Sequence, residues 1–398
     1  MPDSETRSVR LLWASAICLT LLATRPALTA DAQALVQQIR QVGRQGAGTE
    51  QAQAALQRLT DMDSSVLLTI LEGFDDANPV SANWLRGAFE AIADRTVRSS
   101  GTLPVDELTE FILDPGRDPG ARRLAYDWLV QVDATARERL IPDMLLDPGS
   151  EFRRDAVARL MTHAESLGQN GDVEMAGEVW QKALTGAVHD DQVNRIVGAL
   201  REMGQDVSVQ DHFGFIANWH IIGPFDNREK KGFAVSYAPE TNVDLDAEYD
   251  GQLGRITWDP ISTDDDYGLV NIAETIHNHR GSCMYAFTAF ASDSERVVDV
   301  RLGTPNAWKL WINGELVFQR EEYHRGTRMD QYRVAAPFTA GTNTILLKVC
   351  QDERTQDWAR KYQYQVRICS AAGAGILSSD AQTVTDPGTT QTSTEGED

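Results

Sequence analysis

Positive charge is scarce in this chain. Its 398 residues carry 37 lysines and arginines against 59 aspartates and glutamates, a formal net charge of −22. That balance argues against a nucleic-acid partner, whose phosphates need a basic surface. Cysteine is rarer still, with 4 in the chain. Cys18 sits inside an apolar N-terminal run, which leaves Cys283, Cys350 and Cys369. An odd number excludes a complete disulfide framework; a Cys350–Cys369 cross-strand bridge and buried free thiols both stay open. No CxxC or paired His-Cys spacing signals zinc. The chain also lacks a G-x-S-x-G nucleophile elbow and a glycine-rich phosphate loop. No segment is long and apolar enough to predict a transmembrane helix. The run from Leu11 to Ala23, about 13 residues, is too short for a hydrocarbon core of about 30 Å.

That run has another use. Arg7 and Arg10 precede it and Ala27-Leu28-Thr29-Ala30 follow it, so residues 1–30 read as a signal peptide. The expected location is outside the cytoplasm: periplasmic, cell-surface or extracellular. From 31 to 206 apolar residues recur at three and four, as in Ala34, Leu35, Ile39 and Val42, which predicts helices throughout. Three segments align imperfectly: Ser65–Leu71 with Trp84–Ala88, Leu108–Pro115 with Arg122–Ala125, and Leu140–Pro148 with Arg153–Val157. Each pairs a helix and an Asp-Pro or Asn-Pro turn with a second helix carrying a small alanine. The offset is roughly 31 to 37 residues, the range of helix-pair repeats. These segments resemble HEAT repeats, and Ala176–Leu184 is similar to a tetratricopeptide helix. An α-solenoid with a protein-contacting surface is therefore expected; an irregular helical bundle is the alternative.

Near 207 the period changes to two, and residues 207–373 read as strands. In Trp308-Lys309-Leu310-Trp311-Ile312 residues alternate, and Asn313-Gly314 predicts a type I′ hairpin turn. Ala340–Asn343 is a second turn, followed by the strand Thr344–Val349. Tyr362, Tyr364, Val366 and Ile368 occupy one face of a further strand; Gln363, Gln365 and Arg367 occupy the other. At least seven strands predict a β-sandwich. The segment between Asp226 and Asp266 reads as a long polar excursion, and residues 374–398, rich in Ser, Thr, Gly and acid, as a disordered tail. The expected architecture is α then β.

Trp219 with Ile222-Gly223-Pro224-Phe225-Asp226-Asn227, Lys309–Gly314 and Gly341–Val349 resemble the galactose-binding-like jelly roll, the module of sugar-binding domains in glycoside hydrolases. Behind a signal peptide and helical repeats, it is similar to secreted proteins of planctomycete-type bacteria. The resemblance implies recognition of a glycan or a protein partner by loop ends. It also implies a structural calcium held by loop oxygens, for which Asp226, Asn227, Asp264, Asp265 and Asp266 supply hard ligands without EF-hand spacing.

Sugar binding needs an exposed aromatic face ringed by polar groups. Tyr323, His324, Asp330, Tyr332 and Trp358 are the loop residues with that chemistry, whereas strand-borne Trp219, Trp308 and Trp311 are expected in the core. The acid runs Asp264–Asp266, Glu321-Glu322 and Asp352-Glu353 read as solvated loops rather than a glycosidase pair, whose separation sequence cannot supply. His277-Asn278-His279 suggests two ligands without a third. The functional expectation is an exported non-enzymatic binding protein. The alternatives are a purely structural protein–protein scaffold and an accessory or degenerate glycoside hydrolase.

Overall fold

A computed structural model describes residues 30–99, 101–275 and 279–382. The signal-peptide segment before Ala30 and the tail beyond Gln382 lie outside the described residues. The chain divides into two compact units, Met1–Arg159 and Leu160–Asp398. The division lies upstream of the change in residue period at 206/207.

The described part of the first unit is helical: α1 (30–40), α2 (Thr49–Thr60), α3 (Leu67–Glu72), α4 (Pro79–Arg98), α5 (Val105–Leu113), α6 (Pro119–Val132), α7 (Ala136–Leu140) and the start of α8 (Ser150–Gln169). Asn78 and Asp118 open α4 and α6 as N-caps, each accepting from backbone N–H groups of the first turn, with proline next. The Pro ring costs nothing there, because that N–H has no helical partner. A single apolar core runs through the unit, with Leu85, Phe89, Ile92, Leu108, Ile112, Leu124 and Leu129 all buried. One ion pair is sealed beneath it: Arg122 grips Asp147 through two bonds of 2.9 and 2.6 Å and donates its Nε–H to the Ile112 carbonyl.

The second unit continues with α9 (Val173–Gly186), α10 (Asp190–Glu202) and α11 (Val209–Phe213), and then strands. These are β1 (Asn218–Asp226), β2 (Tyr249–Gly251), β3 (Gly254–Ile256), β4 (Asp259–Ser262), β5 (Val270–Asn271), β6 (Ser282–Ser292), β7 (Arg296–Gly303), β8 (Ala307–Ile312), β9 (Glu315–Arg320), β10 (Tyr332–Phe338), β11 (Gly341–Gln351) and β12 (Gln363–Cys369). Among the described residues they form antiparallel sheets in the orders β4-β1-β6-β11-β8-β9 and β10-β7-β12-β5, plus the ribbon β2-β3. One apolar core draws on both large sheets. It takes Trp219, Trp308, Leu310 and Leu347 from the first, and Val300, Ala336, Tyr364 and Val366 from the second. Trp219, Trp308 and Trp311 are buried, as core placement requires.

The first predicted turn forms; at the second, β11 already begins at Gly341, so only Thr339 and Ala340 separate it from β10. Asn313 and Gly314 take φ of 52° and 82°, the type I′ signature. The Asn313 side chain donates to Asn343 Oδ1 at 2.9 Å, and its own Oδ1 accepts from the Thr344 N–H. Asn343, fully buried, donates to the carbonyls of Thr339 and Gly341. Asn313 therefore ties its hairpin turn to the start of β11.

Three features differ from the sequence reading. The strands begin at Asn218 rather than at 207, after the short helix α11, and β1 runs through Gly223-Pro224 to Asp226 with a register shift between Ile222 and Phe225. A side chain at Gly223 would strike Met284 Sδ at 2.1 Å, so the kink needs glycine. The excursion is not merely polar: Phe233 and Trp258 are buried, and with Tyr237, Val243 and Tyr249 they cover the outer face of the six-stranded sheet. That face carries Ile222, Phe225, Tyr285, Trp311 and Leu346, so its strands are apolar on both sides. Finally, packing persists beyond Gly373. Ile376 N–H donates to the Ile368 carbonyl, and Ser378 Oγ accepts from Ala291 N–H.

Candidate functional site

Strand register decides which loops meet. At one end of the six-stranded sheet Asp226 pairs with Ser282, Ser282 with Gln351, and Cys350 with Ala307. Trp308 pairs with Arg320, the last residue of β9. The segments following β1, β9 and β11 therefore converge there. They bring Asn227 and Lys230, Tyr323 and His324, and Asp352, Arg354 and Trp358 into one cluster.

At its centre His324 takes φ of +63°, costly for a residue with a Cβ. Its Nε2–H donates to Asp352 Oδ2 at 3.0 Å, and both side chains are almost fully buried. Asp352 Oδ1 accepts from the Arg354 backbone N–H, which turns the chain outward. Trp358 lies edge-on to the His324 ring, centroids 4.9 Å apart at 86°, and the Arg354 guanidinium sits 5.5 Å from its ring centre. Trp358 is nevertheless 59% exposed, the one Trp, Tyr or Phe among the described residues with so open a face. On the other side Lys230 Nζ stands 4.7 Å over the Tyr323 ring, and burial pushes the Tyr323 phenol up from its ordinary pKa. A shallow cleft of about 370 Å³ lies between Glu229, Lys230, Asp352, Glu353 and Arg354. The cluster offers an aromatic platform, two cations and two carboxylates on a rim fixed from beneath.

Of the residues expected at a ligand site, Tyr323, His324 and Trp358 meet. Asp330 and Tyr332 do not join them. Asp330 is a part-buried hub that accepts from Arg367 twice at 2.7 Å and from Arg301 at 2.7 Å. Burial alone would raise its carboxyl, yet the two guanidiniums hold it below its ordinary pKa. Tyr332 lies on β10 with its ring 5.1 Å from Trp308, against the core. The sequence carries no signal for Lys230 and Arg354, because local spacing does not show that they approach Tyr323 and Trp358.

The expected calcium ligands do not assemble. Asp226 and Asp264 flank opposite ends of β1, since Asn218 pairs with Ser262 and Asp226 with Ser282. Eight strand steps separate the ends by roughly 26 Å at about 3.3 Å per residue. Four of the five also have other work. Asp226 is clasped by Arg228, whose hydrogen bonds lower its pKa. Asn227 is buried, donating to the Gln351 carbonyl and accepting from Phe233 N–H. Asp265 caps the turn by accepting from Tyr267 and Leu269 N–H, and Asp266 pairs with Arg201. Among the described residues no group of three or more His, Cys, Asp or Glu is placed to hold a metal ion. His277 and Asn278 lie outside the described residues.

The pairing considered for cysteine is also revised. Cys350 belongs to β11 and Cys369 to β12, in different sheets. Cys350 instead faces Cys283. Cys369 Sγ approaches the Asp299 carbonyl at 3.6 Å, and burial pushes its thiol up to about 11.

A larger cleft, about 410 Å³, lies at the opposite end of β1 among Gln210, Phe215, Asn218, Phe290 and Ser378. Its polar groups serve the fold: Gln210 Nε2 donates to the Thr263 and Asp265 carbonyls, and Ser378 holds Ala291. It gathers no exposed aromatic. No helix among the described residues is long and apolar enough to cross a membrane. No known family model matches the chain, and no curated protein does either.

Proposed function

We propose that the chain is an exported binding protein whose C-terminal sheet unit, read as a galactose-binding-like jelly roll, takes a glycan at the loop end around Trp358. The observation that carries this reading is the exposed Trp358 ring braced by the buried His324–Asp352 pair. Sugars present C–H faces that stack on indole, and their hydroxyls bond to charged rims such as Glu229, Glu353, Lys230 and Arg354. A ring locked from beneath loses little entropy on binding. The helical unit, read as HEAT-like repeats, supplies a protein-contacting surface.

The test is retention of the full chain in affinity gels cast with a panel of soluble polysaccharides. We expect at least one to retard the protein, and W358A to weaken that retardation at least tenfold while leaving the melting temperature unchanged. Unretarded migration in every gel, or retardation that W358A leaves intact, defeats the proposal. A pure protein scaffold is the second reading. It is favoured by Leu113 and Leu146, 51% and 64% exposed, each just before an Asp-Pro turn. Protein capture lost in L113S/L146S but kept in W358A would select it.

A further inference from the structure

Outside the loop-end site, the buried outer face of the six-stranded sheet brings two cysteines together. Strands β6 and β11 run antiparallel, with Cys283 and Cys350 directly opposite. Directly paired residues of antiparallel strands point to the same face and hold their Cα atoms about 4.5 or 5.5 Å apart. Both spacings fall within the range a disulfide accepts, about 4.4 to 6.8 Å. The two thiols are unbridged here, with Sγ atoms 2.9 Å apart and both residues fully buried. Nothing stands between them, and Phe225, Tyr285 and Trp311 belong to the same apolar cluster.

We propose that Cys283 and Cys350 are a modification site: they close into a cross-strand disulfide when the chain folds in the presence of a disulfide oxidant. The step balances by thiol–disulfide exchange. One cysteine thiolate attacks oxidised glutathione, forming a mixed disulfide and releasing one glutathione thiolate. The second cysteine thiolate then attacks the protein sulfur of that mixed disulfide and releases the second glutathione. Two protein thiols are oxidised, one glutathione disulfide is reduced to two thiols, and the two protons go to solvent and the leaving thiolates.

Timing follows from burial. In the folded protein Cys283 is shut away from solvent, and desolvation holds its thiol well above its ordinary pKa. Reaction therefore belongs to the folding chain, before the excursion seals the face. The bridge would tie β6 to β11 two positions before Asp352, whose carbonyl accepts from Gly281 N–H. It would thus brace the floor of the loop-end site, although the inference does not rest on what that site binds.

The full chain, reduced and unfolded, is refolded with reduced and oxidised glutathione. It is then unfolded without reductant in N-ethylmaleimide and digested for mass spectrometry. We expect one linked peptide pair joining Cys283 to Cys350, with maleimide on Cys18 and Cys369. Closing a loop whose ends are 67 residues apart should also raise the melting temperature over the reduced protein by about 10 °C. The C369S variant should keep the bridge. Maleimide on both Cys283 and Cys350, or a bridge that includes Cys369, overturns the inference.

Discussion

Asp330 shows how a single carboxylate can look like a ligand group in sequence and serve as a structural hub. Its neighbours in the chain are Met329, Gln331 and Tyr332, a polar loop by any local reading. In the fold it neutralises Arg367 and Arg301, which are 1% and 4% exposed. Breaking a buried pair leaves charge without compensation, so D330N should lose about 3 kcal/mol at neutral pH by denaturant unfolding. The folded-state pKa lies below the ordinary 3.8. Ionised Asp330 therefore contributes fully above about pH 4, and its contribution is lost as pH falls through the lower folded value. As pH falls below about 4, the wild type should lose stability more steeply than D330N. Parallel acid profiles for the two would show that Asp330 is not the titrating hub. Trp358 is the opposite case, open to solvent and expected to matter for binding while contributing little to stability.

Lys348 governs the next scale, because it joins a strand to the excursion. It is fully buried on β11, and its ammonium donates to Glu240 and to the Val235 carbonyl, each at 2.7 Å. The Tyr285 hydroxyl donates to the same Glu240 oxygen at 2.6 Å, and burial pushes that phenol far up. Lysine at this strand position pins the 3-10 turn Ala238–Glu240 over the sheet. K348M strands a buried carboxylate and should cost about 3 kcal/mol, whereas K348M/E240L should recover most of it. Equal losses in the single and double variants would sink the latch. At the β8–β9 hairpin a Cβ on Gly314 would meet nothing within 4 Å. The penalty of G314A is then conformational alone, about 1 kcal/mol by chemical denaturation. A loss above about 3 kcal/mol would reveal contacts the hairpin does not show.

At the scale of the whole molecule, helices α9–α11 belong with the sheets. His212 Nε2 lies 2.8 Å from the Ala187 carbonyl, Asn194 bonds the Tyr267 hydroxyl, and Arg367 donates to the Phe213 carbonyl. The rings of Phe213, Phe215 and Tyr267 pack together at about 6 Å. A fragment of residues 160–382 should therefore melt as one cooperative unit. A fragment of 207–382, deprived of α9 and α10, should melt lower by about 5 °C. Identical melting by calorimetry would mean that those helices add nothing to the sheets.

By itself the sequence determined whatever depends on local spacing. Asn313-Gly314 specified its turn because few residues accept two successive positive φ values. The alternation of Tyr362, Tyr364, Val366 and Ile368 specified which face of β12 is core, and the three- and four-residue spacing before Gln205 specified helices. Tertiary structure alone decided what lies across strands or loops. Cys283 rather than Cys369 faces Cys350, the five oxygen ligands part to opposite ends of β1, and Lys230 and Arg354 join Tyr323 and Trp358. The physical reason is that register, not proximity along the chain, sets which side chains meet. Register follows from burying both sheet faces at once, a demand no single strand expresses.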